Sequence, residues 1–159
     1  MVQSMISSRF GEISYSEEDT LFFPRGLPAF EKNRNWILTG EEDNAIKWLQ
    51  NIEDEGLALP VTTPDAVMPD YNAKIPEDDL ELIETTDPGD LALLIVVSIP
   101  ESAPWNMTAN LRAPILVNLK SRRAVQVIAL NEEYSVHHTV FPENVREAMK
   151  VAALAEKEA

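Results

Sequence analysis

The chain has 159 residues, 45% of them hydrophobic, with 27 acidic against 13 basic side chains, a net charge of −14 and no cysteine. That length suits one domain burying about two thirds of its unfolded surface, and the lack of cysteine excludes disulfides and thiolate chemistry, which fits the cytoplasm. The charge would repel a phosphate backbone, which argues against direct nucleic-acid binding, and no apolar run approaches the ~18 residues of a membrane helix.

The opening MVQSMISSRF lacks the basic region, apolar stretch and small-residue cleavage site of a secretory leader, so the protein is expected to stay where it is made. Ile13 and Tyr15, then Leu21 to Phe23, predict two short strands on either side of the acidic turn Ser16-Glu17-Glu18-Asp19. The run Phe23-Pro24-Arg25-Gly26-Leu27-Pro28-Ala29-Phe30-Glu31 follows. Its prolines hold φ near −65°, and Gly26 permits a turn that a side chain would resist. Exposing Phe23, Leu27 and Phe30 would cost about 1.5 to 3 kcal/mol each, so the run reads as a rigid turn folded into the core, with Pro24, Gly26 and Pro28 structural.

Trp36 to Leu38 continues in a strand, and Ile46 to Ile52 predicts another, with Ile46, Trp48 and Ile52 inward against polar Lys47 and Gln50. Leu57 to Val61 is a further strand, ended at Thr62-Thr63-Pro64. Ile75 to Leu82 predicts a short helix with proline and carboxylates in its first turn, where the helix dipole favours them. After the turn Asp87-Pro88-Gly89-Asp90, the apolar run Leu91 to Val97 predicts a central strand buried on both faces. Ile115 to Leu119 and Val125 to Leu130 predict a hairpin whose tip, Lys120-Ser121-Arg122-Arg123, is basic. From Pro142 the spacing of Val145, Met149 and Ala152 predicts an amphipathic last helix. The expected fold is all-β, a single antiparallel β-barrel-like domain over residues 1–159, with a barrel from about 5 to 140, a short internal helix and a C-terminal helix from about 142 to 157.

Charge is unevenly placed: Ser102 to Asn131 holds Arg112, Lys120, Arg122 and Arg123 and no acid, so it carries +4 and the other 129 residues carry −18. The acidic clusters are either solvated loops or a field that steers a basic partner. His137 and His138 are the two histidines, and neighbours on a strand point to opposite faces, so a shared metal is not expected. The five glycines form no phosphate loop, no serine has a recognisable base, and neither a cofactor nor catalysis is expected. Two rival readings stay open. One is an acid/base hydrolase using Asp70 with Glu12 or Glu31, which needs a buried carboxylate pair in one concavity. The other is a carbohydrate-binding β-module, which needs Trp36, Trp48 and Trp105 exposed and coplanar. Arg112, just before Ala113-Pro114, is either paired with a carboxylate of this same protein or presented to a partner on an edge strand.

Phe10-Gly11-Glu12-Ile13, Phe23-Pro24-x-Gly26-Leu27-Pro28-x-Phe30-Glu31, Trp48-Leu49-Gln50, Pro69-Asp70-Tyr71 and Thr108-x-Asn110-Leu111-x-Ala113-Pro114-Ile115 resemble, in this order, the signature runs of the FliW family of flagellar assembly factors. The resemblance implies a β-barrel-like binding protein in the cytoplasm with two partners. Such proteins antagonise the RNA-binding translational repressor CsrA, relieving repression of flagellin translation, and they bind flagellin, which competes for them. On this resemblance Trp48, Asn51, Asn110, Arg112 and Gln126 are the partner-facing candidates. The chain departs from the family pattern at Ala29, where glycine is usual, at His137, where arginine is common, and at Val125. Ala29 is therefore expected to keep a negative φ or to carry a small strain.

Overall fold

In a computed structural model that describes residues 2–84 and 87–158, the chain is mainly antiparallel β. Strands β1 (Val2–Ser7) and β2 (Gly11–Ser16) form a hairpin with a sheet of their own. The main sheet takes β3 (Thr20–Phe22), β4 (Asn35–Thr39), β5 (Lys47–Asn51), β6 (Ala58–Thr62), β7 (Leu91–Ser98), β9 (Ile115–Asn118) and β10 (Ala124–Gln126), in the order β10-β9-β7-β6-β5-β4-β3. Two short strands, β8 (Thr108–Ala109) and β11 (His138–Thr139), attach beside the end of β7. Its two end strands, β3 and β10, meet at one isolated parallel bridge, Phe22 to Arg123, so the sheet curls like a barrel without closing.

The hairpin β1–β2 was not expected from the sequence, because Val2 to Ser7 shows a regular burial contrast only at its end: Val2 and Ile6 are exposed and Ser7 is buried. Its turn is pinned to the main sheet. The Ser7 hydroxyl donates to Gln50 Oε1 at 2.7 Å, and the Ser8 amide donates to the Glu55 carbonyl at 3.0 Å. This pinning also explains why the predicted inward face of β5 differs from the observed one. Leu49 lies in the core, and Gln50 and Asn51 are both wholly buried, whereas Trp48 is half-buried. Buried amides survive only with partners. Gln50 Nε2 donates to the carbonyls of Asn51 and Leu57, and Asn51 Nδ2 donates to the Asn35 carbonyl.

The core falls into three apolar groups. Leu21, Phe23, Leu27, Trp36, Leu49, Val61, Ile115 and Val117 make the first, with the Phe23 and Trp36 rings edge to face at 6.2 Å. Ile95, Val97, Met107, Ala109 and Leu111 make the second, and Ile83, Leu116, Val125 and Val127 the third. β7 is central as expected, bonded to β6, β8 and β9, although Leu91 to Leu94 are only half-buried.

Three α-helices occur among the described residues: α1 (Pro64–Val67), α2 (Glu77–Glu81) and α3 (Glu143–Glu158). α1 replaces the plain break expected at Thr62-Thr63-Pro64, since proline at the first helical position starts a turn without losing a bonded amide. α3 confirms the helix after Pro142, but its covered side is Arg146, Met149 and Ala153, resting on the turn Pro104–Asn106. Val145, Val151 and Leu154 remain exposed. Tertiary contact rotated the face that periodicity alone selected.

At the acidic turn Glu17–Asp19 the Ser16 amide and hydroxyl both donate to Asp19 Oδ2 at 3.0 Å. These bonds, chiefly the one from the amide, with a smaller pull from Arg122, hold the Asp19 carboxyl below its ordinary range. A carboxylate with a lowered folded pKa adds stability above its unfolded value, about 3.9, and that stability is lost as pH falls through the folded value. The stability difference between the parent chain and Asp19→Asn is therefore expected to be present at neutral pH and to shrink below about pH 4 in urea unfolding. A difference that stays constant down to pH 3 would remove this role.

Candidate partner-binding face

The turn after β3 is built as its residues require. Phe23 and Leu27 are buried, the Gly26 amide donates to the Phe23 carbonyl at 2.9 Å, and the Phe30 amide donates to the Leu27 carbonyl at 2.7 Å. Gly26 has φ +62°, and a Cβ there would meet Glu31 Cα, Glu31 O and Phe30 O at 2.6 Å each. Only glycine fits. Ala29 has φ +72°, so the expectation of a negative φ is corrected and the strained alternative holds. A left-handed conformation costs an L-residue about 1 to 2 kcal/mol, part of which glycine returns through its freer unfolded chain. Ala29→Gly is thus expected to stabilise the protein by about 0.5 to 1 kcal/mol in urea unfolding, and a less stable variant would contradict the strain.

The loop from Asn110 to Pro114 lies against β10 and its continuation. Asn110 Oδ1 accepts from the Ala113 amide at 3.0 Å, Gln126 Nε2 donates to the Ala113 carbonyl at 3.0 Å, and Arg112 Nε donates to the Ala129 carbonyl at 3.0 Å. Three of the five partner-facing candidates therefore meet in one network. Arg112 is held inside the protein, but by a main-chain carbonyl and not by the carboxylate the sequence reading offered, while Gln126 stays half-buried on the wall of a groove.

Trp48 and Asn51 are elsewhere, on β5. Arg9 lies over the Trp48 ring at 4.1 Å and Phe10 meets it edge-on at 5.9 Å, so the indole pins the first hairpin down. Asn51 is wholly buried and is corrected from a surface position to a core one: its side chain takes the Asp54 amide, Asn33 Nδ2 and the Asn35 carbonyl.

The basic hairpin tip is also less free than its sequence suggests. Lys120 pairs with Asp90 at 3.5 Å and Arg123 with Glu84 at 3.1 Å, while Arg122 reaches the Asp19 carbonyl at 3.5 Å. Its charge is turned back on the protein's own acids.

Sequence reasoning missed the role of Tyr71 and Tyr134, whose rings stack at 4.8 Å. Tyr71 donates to the Leu111 carbonyl at 2.7 Å, and Tyr134 accepts from the Asn72 amide at 2.8 Å. Burial, with Tyr134 nearby, pushes the Tyr71 phenol up to about 12. The run Pro69-Asp70-Tyr71 marks this strap only in hindsight, because its partner lies over sixty residues away. Next to it Glu133 is held below the usual carboxylate range, first by its own main-chain amide and then by Asn131, with Lys74 and Arg112 adding smaller pulls.

The rival constellations do not assemble. Glu12 on β2, Glu31 in the proline turn and Asp70 after α1 are all exposed on separate elements, so the buried pair that acid/base work needs is not made. Trp36 is wholly buried and Trp48 is covered by Arg9, which leaves no three-ring platform with Trp105. Among the described residues no three His, Cys, Asp or Glu side chains converge as metal ligands.

A curled, mainly antiparallel sheet with a paired N-terminal hairpin and a helix at its C-terminal end defines a β scaffold built on one main sheet. The chain belongs to the FliW family: the family model described as FliW protein matches residues 4–140. It is similar to the flagellar assembly factor FliW of Pseudothermotoga lettingae, 39% identical over 84% of this chain and 85% of that protein. It is likewise similar to those of Caldanaerobacter subterraneus subsp. tengcongensis, 38% identical over 86% and 92%, and Thermotoga maritima, 38% identical over 86% and 92%. Among solved structures, a crystal structure of the flagellar assembly factor FliW superposes with a TM-score of 0.81 at 30% identity, covering 89% of this chain and 99% of that one. No helix among the described residues is long and apolar enough to cross a membrane.

Proposed function

We propose that this protein is a cytoplasmic flagellar assembly factor, one FliW-like domain that works by binding and catalyses nothing. Its partners in this reading are CsrA and flagellin. Flagellin holds the protein; export of flagellin frees it; the freed protein sequesters CsrA and relieves repression of flagellin translation. The observation that carries the reading is family membership across residues 4–140. The charge supports it, since a chain at −14 attracts a protein that must be basic to grip RNA, and it repels the RNA from the complex.

The structure refines which acids are free to steer. Glu53 accepts from the Arg34 and Asn35 amides, Asp54 from the Gly56 amide, and Asp79 pairs with Arg25 at 3.0 Å. Glu55, Glu77 and Asp78 are exposed and their side chains hold no such partner among the described residues. Calorimetric titration of the chain with purified CsrA, at low and at physiological salt, followed by flagellin as competitor, tests the reading. Binding that weakens with salt and is displaced by flagellin is expected, and reversing Glu55, Glu77 and Asp78 to lysine is expected to flatten the salt dependence. No heat with either protein would sink the partner switch.

A further inference from the structure

The open end of the sheet is a place where another chain can be added. β10 is bonded to β9 on one side: Asn118 donates its amide to the Arg123 carbonyl at 2.8 Å, and Val127 donates to the Pro114 carbonyl at 3.0 Å. Antiparallel alternation therefore turns the main-chain groups of Gln126 and Ile128 to the opposite side. At the near end that side is closed by β3, where the Phe22 amide donates to the Arg122 carbonyl at 2.9 Å. Past this bridge no strand among the described residues pairs with β10. Instead Arg25, Gly26 and Pro28 of the proline turn face Val125 to Ile128 across a groove of about 430 Å³.

Side chains beside the edge match the backbone. Ile128 is 68% exposed and Leu130 is 61% exposed, two large apolar groups at a spacing of two, which is the period of a strand. An exposed edge with apolar side chains is a template for strand addition, and natural proteins blunt such edges with charge or proline unless they use them. Here the Phe22 amide holds one end of that side and the Lys74 carbonyl, accepting from Leu130, holds the other, so the stretch left open is Gln126 and Ile128.

Charge decides what the edge accepts. Pro76 and Asp79 at the start of α2 and Glu31 of the turn also line the groove. Arg25 is paired with Asp79, so Glu31 leaves the lining with one acidic charge in excess, and Glu77 and Asp78 follow Pro76 in the chain as exposed acids. Lys74 lies beyond, where its main-chain carbonyl accepts from Leu130, and its charge pulls on Glu133. A second copy of a chain at −14 would be repelled from this rim.

We propose that the open edge of β10, at Gln126 and Ile128, receives an extended segment of a partner protein that alternates apolar with basic side chains and adds as a strand in the groove beside the proline turn. This rests on the reading of the chain as a partner-binding protein and gives that reading a surface and a mode. It also gives the braces at Asn110, Arg112 and Gln126 a purpose, since they fix the strand from the side of the Asn110–Pro114 loop while Gln126 and Ile128 face the groove side.

Two measurements test it on the full chain. In the first, the ¹⁵N-labelled protein is titrated with an acetylated heptapeptide alternating lysine and valine, and with one alternating glutamate and valine. The lysine peptide is expected to shift the amides of Gln126 and Ile128 and slow their exchange, and to bind about tenfold tighter than the glutamate peptide. Shifts confined to other surfaces, equal binding of the two peptides, or no binding would overturn the proposal. In the second, CsrA and flagellin are titrated against the parent, Ile128→Lys and, as a distant control on exposed α3, Val151→Lys. A loss of about tenfold or more for one partner with Ile128→Lys, and none with Val151→Lys, supports the edge. If the parent binds and both variants match it, the edge proposal fails while the functional reading stands. If the parent binds neither protein, the functional reading fails, and the peptide titration alone decides the edge.

Discussion

Trp36→Ala is expected to lower the unfolding free energy by about 3 to 5 kcal/mol, the range for removing a large aromatic from a packed core. Trp36 is wholly buried on β4, edge-on to Phe23, and shares its apolar group with Leu21 of β3, Leu49 of β5 and Val61 of β6. Its indole Nε1 donates to the Asn33 carbonyl at 2.9 Å, so truncation also orphans an acceptor next to the proline turn. The cavity would open where β4 meets that turn, whose Gly26 and Pro28 line the proposed groove. Urea unfolding measures the loss, and Trp36→Phe, which keeps most of the volume and gives up the hydrogen bond, is expected to lose less. A loss below about 1 kcal/mol for the alanine variant would mean that this core does not hold the turn.

Gly26→Ala comes second, at about 2 to 5 kcal/mol, the sum of a left-handed alanine and an overpacked contact. The contact is with backbone, at 2.6 Å from Glu31 Cα and from two carbonyl oxygens, so no side chain can swing away to relieve it. Relief requires the Phe30–Glu31 segment to move, and Phe30 packs on the first core group while Glu31 lines the groove. Partner affinity should therefore fall together with stability. Ala29→Gly, three residues on, is expected to change stability in the opposite direction, because its φ of +72° has strain to lose. If both substitutions destabilised alike, the turn would be sensitive to any change and the conformational argument would fail.

The strands that were legible from the residues are those where local pattern and tertiary demand coincide. Leu91 to Val97 could be little else than a central strand, and Asn35–Thr39, Ala58–Thr62 and β9 lie close to their predicted places, whereas β10 ends at Gln126 and not at the predicted Leu130. β1 was not legible, since a strand held by one buried serine and a ring stacked under Arg9 has no apolar face to announce it. β8 and β11 are two residues each, too short for any period to show. The candidate site divides the same way. Asn110, Arg112 and Gln126 do converge, but Asn51 is consumed by core amides, because a polar residue on a strand reads as exposed until its buried partners are known.

Composition, turn chemistry and ordered motifs were enough to determine the mainly β class, the rigid proline turn, the final helix and the FliW family, because each depends on residues adjacent in the chain or on the whole set at once. Tertiary structure alone decided which side of α3 is covered, that the basic tip pairs with Asp90 and Glu84, and that the ends of the sheet meet at Phe22 and Arg123 without pairing along Gln126 and Ile128. Those outcomes rest on contacts between residues far apart in the chain, where geometry and desolvation, unlike local propensity, choose the partner.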